Sequence, residues 1–185
     1  TKSDSLLLPD RERDLEEQRQ RELLKKQWLE QQEAIKQEEI EVTYSYWDGS
    51  GHRKSQKCRK GTTIESFLYM IQPEWKELRR VAATDLMFIK EDVIIPHHYS
   101  FYDLIISKAR GVSGPLFVFD VKDDIRLVSD ASVETEESHA AKVVERRWYE
   151  HNKTKFPMCR WEVYTPEKKD YSRKYSIKGA VNNSI

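Results

Sequence analysis

The sequence predicts an α+β protein, and three stretches carry that expectation. Residues 40–59 read as a strand, an Asp-Gly turn and a returning strand. Residues 62–71 have the spacing of a capped helix with one buried face. "PLFVFDV" at 115–121 is a β-branched and aromatic run suited to a central strand. The order hairpin, helix, two short strands, turn and final strand is the ubiquitin-like β-grasp pattern. The predicted organisation is a long charged helix in residues 1–39, the β-grasp domain in residues 40–121, and a C-terminal helix with an extended aromatic and basic segment in residues 122–185.

Residues 10–39 hold no Gly or Pro, and 17 of the 30 are charged, mostly good helix formers. Asp10, after Pro9, is placed to cap the helix. Leu24, Trp28 and Ile35, with Leu15 and Leu23, make a stripe too narrow for a coiled coil, because most a and d positions are Gln, Arg or Glu. Two readings fit. One is a solvated helix packed at its C-terminal end on its own domain; the other is a helix lying along a partner protein, anchored by Trp28.

The character changes at residue 40. In "IEVTYSYW" Ile40, Val42, Tyr44 and Tyr46 alternate with Glu41, Thr43, Ser45 and Trp47, the period of a half-buried strand. "DGSG" supplies turn chemistry, and "HRKSQKCRK" returns as a cationic strand suited to an edge, where charge discourages pairing with other chains. Thr62 and Glu65 have capping-box spacing. Ile64, Phe67, Leu68 and Ile71 then follow the i, i+3, i+4, i+7 pattern. Pro73 ends that helix or opens a short one with Trp75 and Leu78. "LMFIK" and "DVIIP" are two short strands joined through "ED", and "HHYSFYDLI" is a loop with a helical turn. "ESHAAKVVERRWYEHN" predicts a helix with Ala140, Val144 and Trp148 on one face, followed by an extended aromatic stretch.

Composition limits the function classes. Lys plus Arg and Asp plus Glu stand at 32 each, so bulk charge does not draw the chain to nucleic acid or anionic membrane. Charged residues make up 35%, above the typical quarter or so, which places the excess on long solvated surfaces. No apolar run reaches the roughly 20 residues of a membrane-spanning helix. The charge is nevertheless segregated: residues 120–137 hold seven acidic and two basic residues, whereas Lys142 to Lys178 hold eleven basic and five acidic.

No motif predicts catalysis, a cofactor, a small-molecule substrate or a metal. Gly49-Ser50-Gly51 lacks the third glycine and following helix of a phosphate loop and reads as a hairpin bend. His97 and His98 are adjacent and point apart, so they read as loop histidines rather than a metal pair. Asp120, Asp123 and Asp124 lack the ligand spacing of a calcium loop. Cys58 and Cys159 form no metal or disulfide pattern. Cys58 sits among Lys57 and Arg59, which could lower its pKa, yet no base is placed to use it. The tail has more to offer. Trp148, Tyr149, Phe156, Trp161, Tyr164, Tyr171 and Tyr175 interleave with Arg146, Arg147, Lys153, Arg160, Lys168 and Lys169. Such a pattern serves RNA, with bases stacked on rings and phosphates on cations. It equally serves a segment that wraps its own domain, rings inward and cations out, or docks on another protein.

Four blocks, "EEIEVTYSYWDGSGHRK", "LMFIKEDVIIPHHYSFYDLIISKARGVSGPLF", "DVKDDIRLVSDASVETEESHAAKVVERRWYEHNK" and "FPMCRWEVYTPEKK", resemble the XAP-five family, that of the plant XAP circadian timekeeper proteins. The resemblance covers about residues 38–175. One departure is "LYMIQPEWKELRRVA", which is shorter than the family's helical region there and carries a Pro. The resemblance implies a nuclear protein without catalytic residues, associated with proteins of the spliceosome in its catalytic stages and with control of gene expression. It also implies a charged half preceding Thr1, in keeping with the abrupt start without Met. From the family's blocks, Trp47, Asp48, His97, His98, Tyr99 and Trp161 are implied as partner-facing positions.

Overall fold

The computed structural model describes residues 9–47, 51–117, 140–168 and 170–172. Contacts divide the chain into two compact units, residues 1–38 and 39–185. The first is a helix, α1 (Pro9–Lys36), of 28 residues, about 42 Å long at the usual rise per residue. Acidic Asp10 and Glu12 occupy its first turn and Lys36 its last, matching the helix dipole. Asp10, predicted as the cap, lies just inside the helix and pairs with Arg13.

The second unit is built on a six-stranded mixed sheet. Strands β1 (Glu39–Tyr46) and β2 (His52–Arg59) form the hairpin, in register from Glu39 opposite Arg59 to Tyr46 opposite His52. Helix α2 (Ile64–Ile71) buries Ile64, Phe67, Leu68 and Ile71, the four positions the period selects. Its cap is Thr63, whose hydroxyl accepts from the Ser66 amide at 3.1 Å, not Thr62. Thr62 is taken up by the turn before it, accepting from the Arg59 amide. Pro73 opens a short 3-10 turn, and a second carries Trp75 and Leu78 into the core.

Strands β3 (Leu86–Lys90) and β4 (Val93–Ile95) pair antiparallel through Glu91 and Asp92. Both turn residues have positive φ, 54° and 63°, which matches the handedness a two-residue hairpin needs. Gly111 packs against this turn so closely that a Cβ would lie 2.1 Å from the Glu91 Cβ. Helix α3 (Phe101–Ile106) starts at a capping box between Ser100 and Asp103.

The largest departure from expectation concerns the closing strand. The centre of the sheet is β5 (Ala141–Glu145), parallel to β1 and antiparallel to β3. The run at 115–121 does not fill that place. Leu116 and Phe117 are buried beside Arg110, which bridges to Pro115, and residues 118–121 lie outside the described residues. The apparent helical face of Ala140, Val144 and Trp148 is an accident of spacing. Ala141 and Val143 enter one core and Val144 the other. A strand buried on both faces shows no alternation, and β5 runs without a turn residue into helix α4 (Arg146–Asn152). Strand β6 (Glu162–Val163) adds beside β4, giving the order β2-β1-β5-β3-β4-β6. The boundary predicted at residue 121 therefore falls within a single sheet.

Candidate interaction surface

Each face of the sheet has its own core. On one face Val42, Tyr44, Phe88 and Val143 meet Phe67 of α2, Trp75 and Phe101. The rings pack edge to face, with Phe67 at 5.6 Å from Tyr44 and 5.5 Å from Phe101. Trp75 Nε1 donates to the Tyr44 hydroxyl at 2.9 Å. Burial raises the Tyr44 pKa.

The opposite face of β3, β4 and β5 presents Met87, Ile89, Ile94 and Val144, which are covered by Met158 and Trp161. Trp47, Trp148 and Tyr149 pack at the margin of that cluster. Tyr149 stacks on Trp161 at 5.6 Å, and Trp47 lies 5.3 Å from Trp148 and 5.9 Å from Trp161. The Lys142 ammonium sits 5.3 Å from the Trp47 ring and 5.9 Å from the Trp161 ring. A cation over two indoles adds attraction that burial alone does not give.

That arrangement reassigns several candidate residues. Trp161, implied as partner-facing, is buried, and Trp47 is half-buried against it. Both rings are occupied in holding the tail on the sheet. His97 is half-buried, its Nε2 2.7 Å from the Leu86 carbonyl. The carbonyls of His97 and Tyr99 accept from the Glu65 and Ile64 amides and so satisfy the first turn of α2. Tyr99 is half-buried, edge-on to Tyr164 at 5.0 Å, and burial pushes its pKa up. His98 is exposed, with its ring 4.2 Å from that of Tyr99. Trp28 is exposed on α1 beside exposed Leu24 and Leu29. Asp48 lies outside the described residues.

The tail's aromatic and basic residues separate in the same way. Trp161, Tyr164 and Tyr171 are buried and Trp148 and Tyr149 half-buried, while Phe156 is exposed with the Arg160 guanidinium 4.6 Å from its ring. Tyr175 lies outside the described residues. Arg146 and Arg147 are exposed at the start of α4. Lys153 pairs with Glu150 at 2.9 Å, which holds the Glu150 carboxyl below its usual pKa. Lys168 pairs with Glu162. Lys169 lies outside the described residues. Among the described residues of the tail, rings inward and cations outward is the wrapping arrangement, with Phe156 the exception.

Cys58 does not behave as its sequence neighbours suggest. Side chains alternate along β2, so Lys57 and Arg59 point to the face opposite Cys58, which enters the core. Burial pushes its thiol up to about 12, with a smaller opposing effect from a hydrogen bond to Thr62. The thiolate needed for nucleophilic attack is absent at neutral pH.

The hairpin's outer edge is the cationic edge strand that "HRKSQKCRK" predicts; the cleft beside it had no signal in the sequence. Strand β2 is the first strand of the sheet, and six of its eight residues are exposed. Next to it, Ser45, Trp47, Arg53, Ile89 and Lys142 line an open cleft of about 450 Å³, which Glu91 and Asp92 complete. In "HRKSQKCR" Cys58 is the one apolar residue, which is what makes the strand legible as an edge.

Among the described residues, the geometry defines a mixed α/β domain in which most aromatic residues of the second unit are turned inward, Tyr69 and Phe156 excepted, and which presents a cationic sheet edge; the other unit is an exposed helix. Comparison with known proteins gives the lineage. The family model "XAP5, circadian clock regulator C-terminal domain" matches residues 38–176, and the chain belongs to that family. It is 63% identical over 173 residues to a "Protein FAM50 homolog" of Dictyostelium discoideum, covering 92% of this chain and 48% of that protein. To "Protein XAP5 CIRCADIAN TIMEKEEPER" of Arabidopsis thaliana it is 56% identical over 176 residues, covering 93% and 52%. To a "Protein FAM50 homolog" of Drosophila melanogaster it is 56% identical over 179 residues, covering 95% and 49%. The chain thus spans about half the length of the curated relatives it matches. None of these names denotes an enzyme activity.

Proposed function

We propose that this chain is a non-catalytic interaction module of a nuclear protein, and that it joins protein subunits of the spliceosome in its catalytic stages. We further propose that strands β1 to β5 with helix α2 form a ubiquitin-like β-grasp. In support, β1 and β5 lie parallel at the middle of the order β2-β1-β5-β3-β4, and α2 packs on one face. The observation that carries the functional reading is where the aromatic residues go. Trp47, Trp148, Tyr149 and Trp161 close one face of the sheet, and the thiol with the most suggestive sequence context is buried and neutral. Exposed helix and strand edge remain, and these are surfaces on which proteins grip one another. The nuclear setting is the one that the XAP-five resemblance implies. Affinity purification of the tagged protein from nuclear extract is expected to recover splicing factors; recovery of none overturns the proposal.

A second reading, regulation of gene expression on chromatin, is favoured by the words "circadian clock regulator" in the family's description. Chromatin immunoprecipitation that survives RNase supports it, and complete loss of signal after RNase overturns it.

A further inference from the structure

We propose that strand β2 is a docking edge for an extended acidic segment of a partner protein, which adds to the sheet as a seventh strand. This deepens the interaction-module reading and rests on it.

Three hydrogen bonds fix which backbone groups of β2 face outward. The Trp47 amide donates to the Val143 carbonyl, so the odd-numbered residues of β1 bond toward β5 and the even-numbered ones toward β2. In the register of the hairpin, His52, Lys54, Gln56 and Cys58 are then the residues bonded to β1. The Arg59 amide donates instead to Thr62 Oγ1, and the Arg59 carbonyl accepts from the Thr62 amide. The contact between Thr43 Oγ1 and Ser55 Oγ at 3.1 Å agrees, since side chains come closest at the pairs not bonded through the backbone. The amide and carbonyl of Ser55 and the amide of Lys57 therefore point away from the sheet. Gln56 Nε2 donates to the Lys57 carbonyl at 2.9 Å, occupying the place a partner's amide would take. Among the described residues no strand lies beyond β2.

Charge selects the partner. The strand carries Arg53, Lys54, Lys57 and Arg59 and no acidic residue. A second copy of this edge is repelled by these cations, whereas an acidic strand is attracted. A nucleic-acid backbone suits the cations, but its phosphates only accept and cannot donate to the Ser55 carbonyl. A peptide strand supplies donor and acceptor in alternation, at the spacing the edge already has. The footprint ends at Arg59, whose backbone the Thr62 turn has taken.

The test uses the 185-residue chain labelled for amide exchange. The probes are an eight-residue peptide alternating valine with glutamate, its valine–lysine counterpart, and a ten-uridine oligonucleotide. The glutamate peptide is expected to bind at least about tenfold more tightly than the lysine peptide and to slow exchange at the Ser55 and Lys57 amides. Ser55→Pro removes the outward N–H, together with the hydroxyl that contacts Thr43 Oγ1, and suits an edge strand. It is expected to abolish binding in a chain that stays folded, with a melting temperature lowered no further than by Ser55→Ala, which loses the same hydroxyl and keeps the N–H. If that variant unfolds, Lys54→Glu with Lys57→Glu decides, because it leaves Arg53 and Arg59 balanced by two carboxylates and must abolish the preference for the glutamate peptide. Equal binding of both peptides by the parent chain, protection elsewhere in the chain, or preference for the oligonucleotide overturns the proposal. A chain that binds the glutamate peptide yet recovers no splicing factors keeps the docking edge and removes the splicing reading; the opposite pair of results does the reverse.

Discussion

Replacing Tyr44 by Phe removes a single oxygen from the middle of the larger core. Tyr44 is 1% exposed and Trp75 is 4% exposed, so water does not reach the indole N–H that donates to the Tyr44 hydroxyl at 2.9 Å. The ring itself stays, and with it the edge-on contacts to Phe67 and Trp75 at 5.6 and 6.0 Å. The change therefore isolates one buried donor left without an acceptor, at a cost of about 1–3 kcal/mol. For a unit of this size each kcal/mol lowers the midpoint by about 2–4 °C. A calorimetric scan should accordingly show the Tyr44→Phe transition roughly 2–12 °C below the parent. Alkaline pH gives a second readout. Burial raises the folded-state pKa of Tyr44 above the ordinary 10, so its contribution is complete below pH 10 and is lost as pH rises toward the folded value. In Tyr44→Phe that part of the alkaline loss disappears and the slope becomes shallower. A variant as stable as the parent at neutral pH would refute the reasoning, because it would mean that Trp75 finds another acceptor.

Three other outcomes follow from the same coordinates. Gly111→Ala puts a Cβ 2.1 Å from the Glu91 Cβ and should cost about 1–3 kcal/mol by overpacking the β3–β4 turn, measured by urea unfolding; no loss would mean the turn yields. Trp161→Ala should destabilise by about 3–5 kcal/mol and shift tryptophan fluorescence, whereas loss of partner binding at full stability would return Trp161 to the surface role the structure denies it. Cys58 should resist a disulfide reagent in the folded protein while exposed Cys159 reacts. Because the folded Cys58 thiol titrates near 12 against an ordinary 9, stability should fall above pH 9 as the unfolded thiol ionises, and Cys58→Ala should fall less steeply over pH 9–10; identical slopes would refute the burial assignment.

The amino-acid order alone settles what depends on neighbours along the chain. Charge density and the lack of Gly or Pro in residues 10–39 predict the long helix, which the structure runs over Pro9–Lys36. Period-two alternation and Asp-Gly chemistry place β1 and β2, and the period of α2 selects its four buried residues. Tertiary structure decides whatever depends on what covers a side chain. "AAKVVE" and "PLFVFDV" are both apolar enough for the sheet centre. The first takes it because β1 and β3 leave a slot there that can be covered on both faces, and a strand buried twice has no alternation to betray it. The interleaved rings and cations of the tail are ambiguous by composition. They become a clamp only when Trp161 meets Ile89 and Val144 across the sheet and Lys142 lies over two indoles. Cys58 reads as activated by Lys57 and Arg59 until the pleat of β2 turns those cations to the other face. Short-range periodicity can report that a side chain is apolar or charged, but only packing reports which atoms surround it, and that surrounding sets its pKa, its exposure and its role.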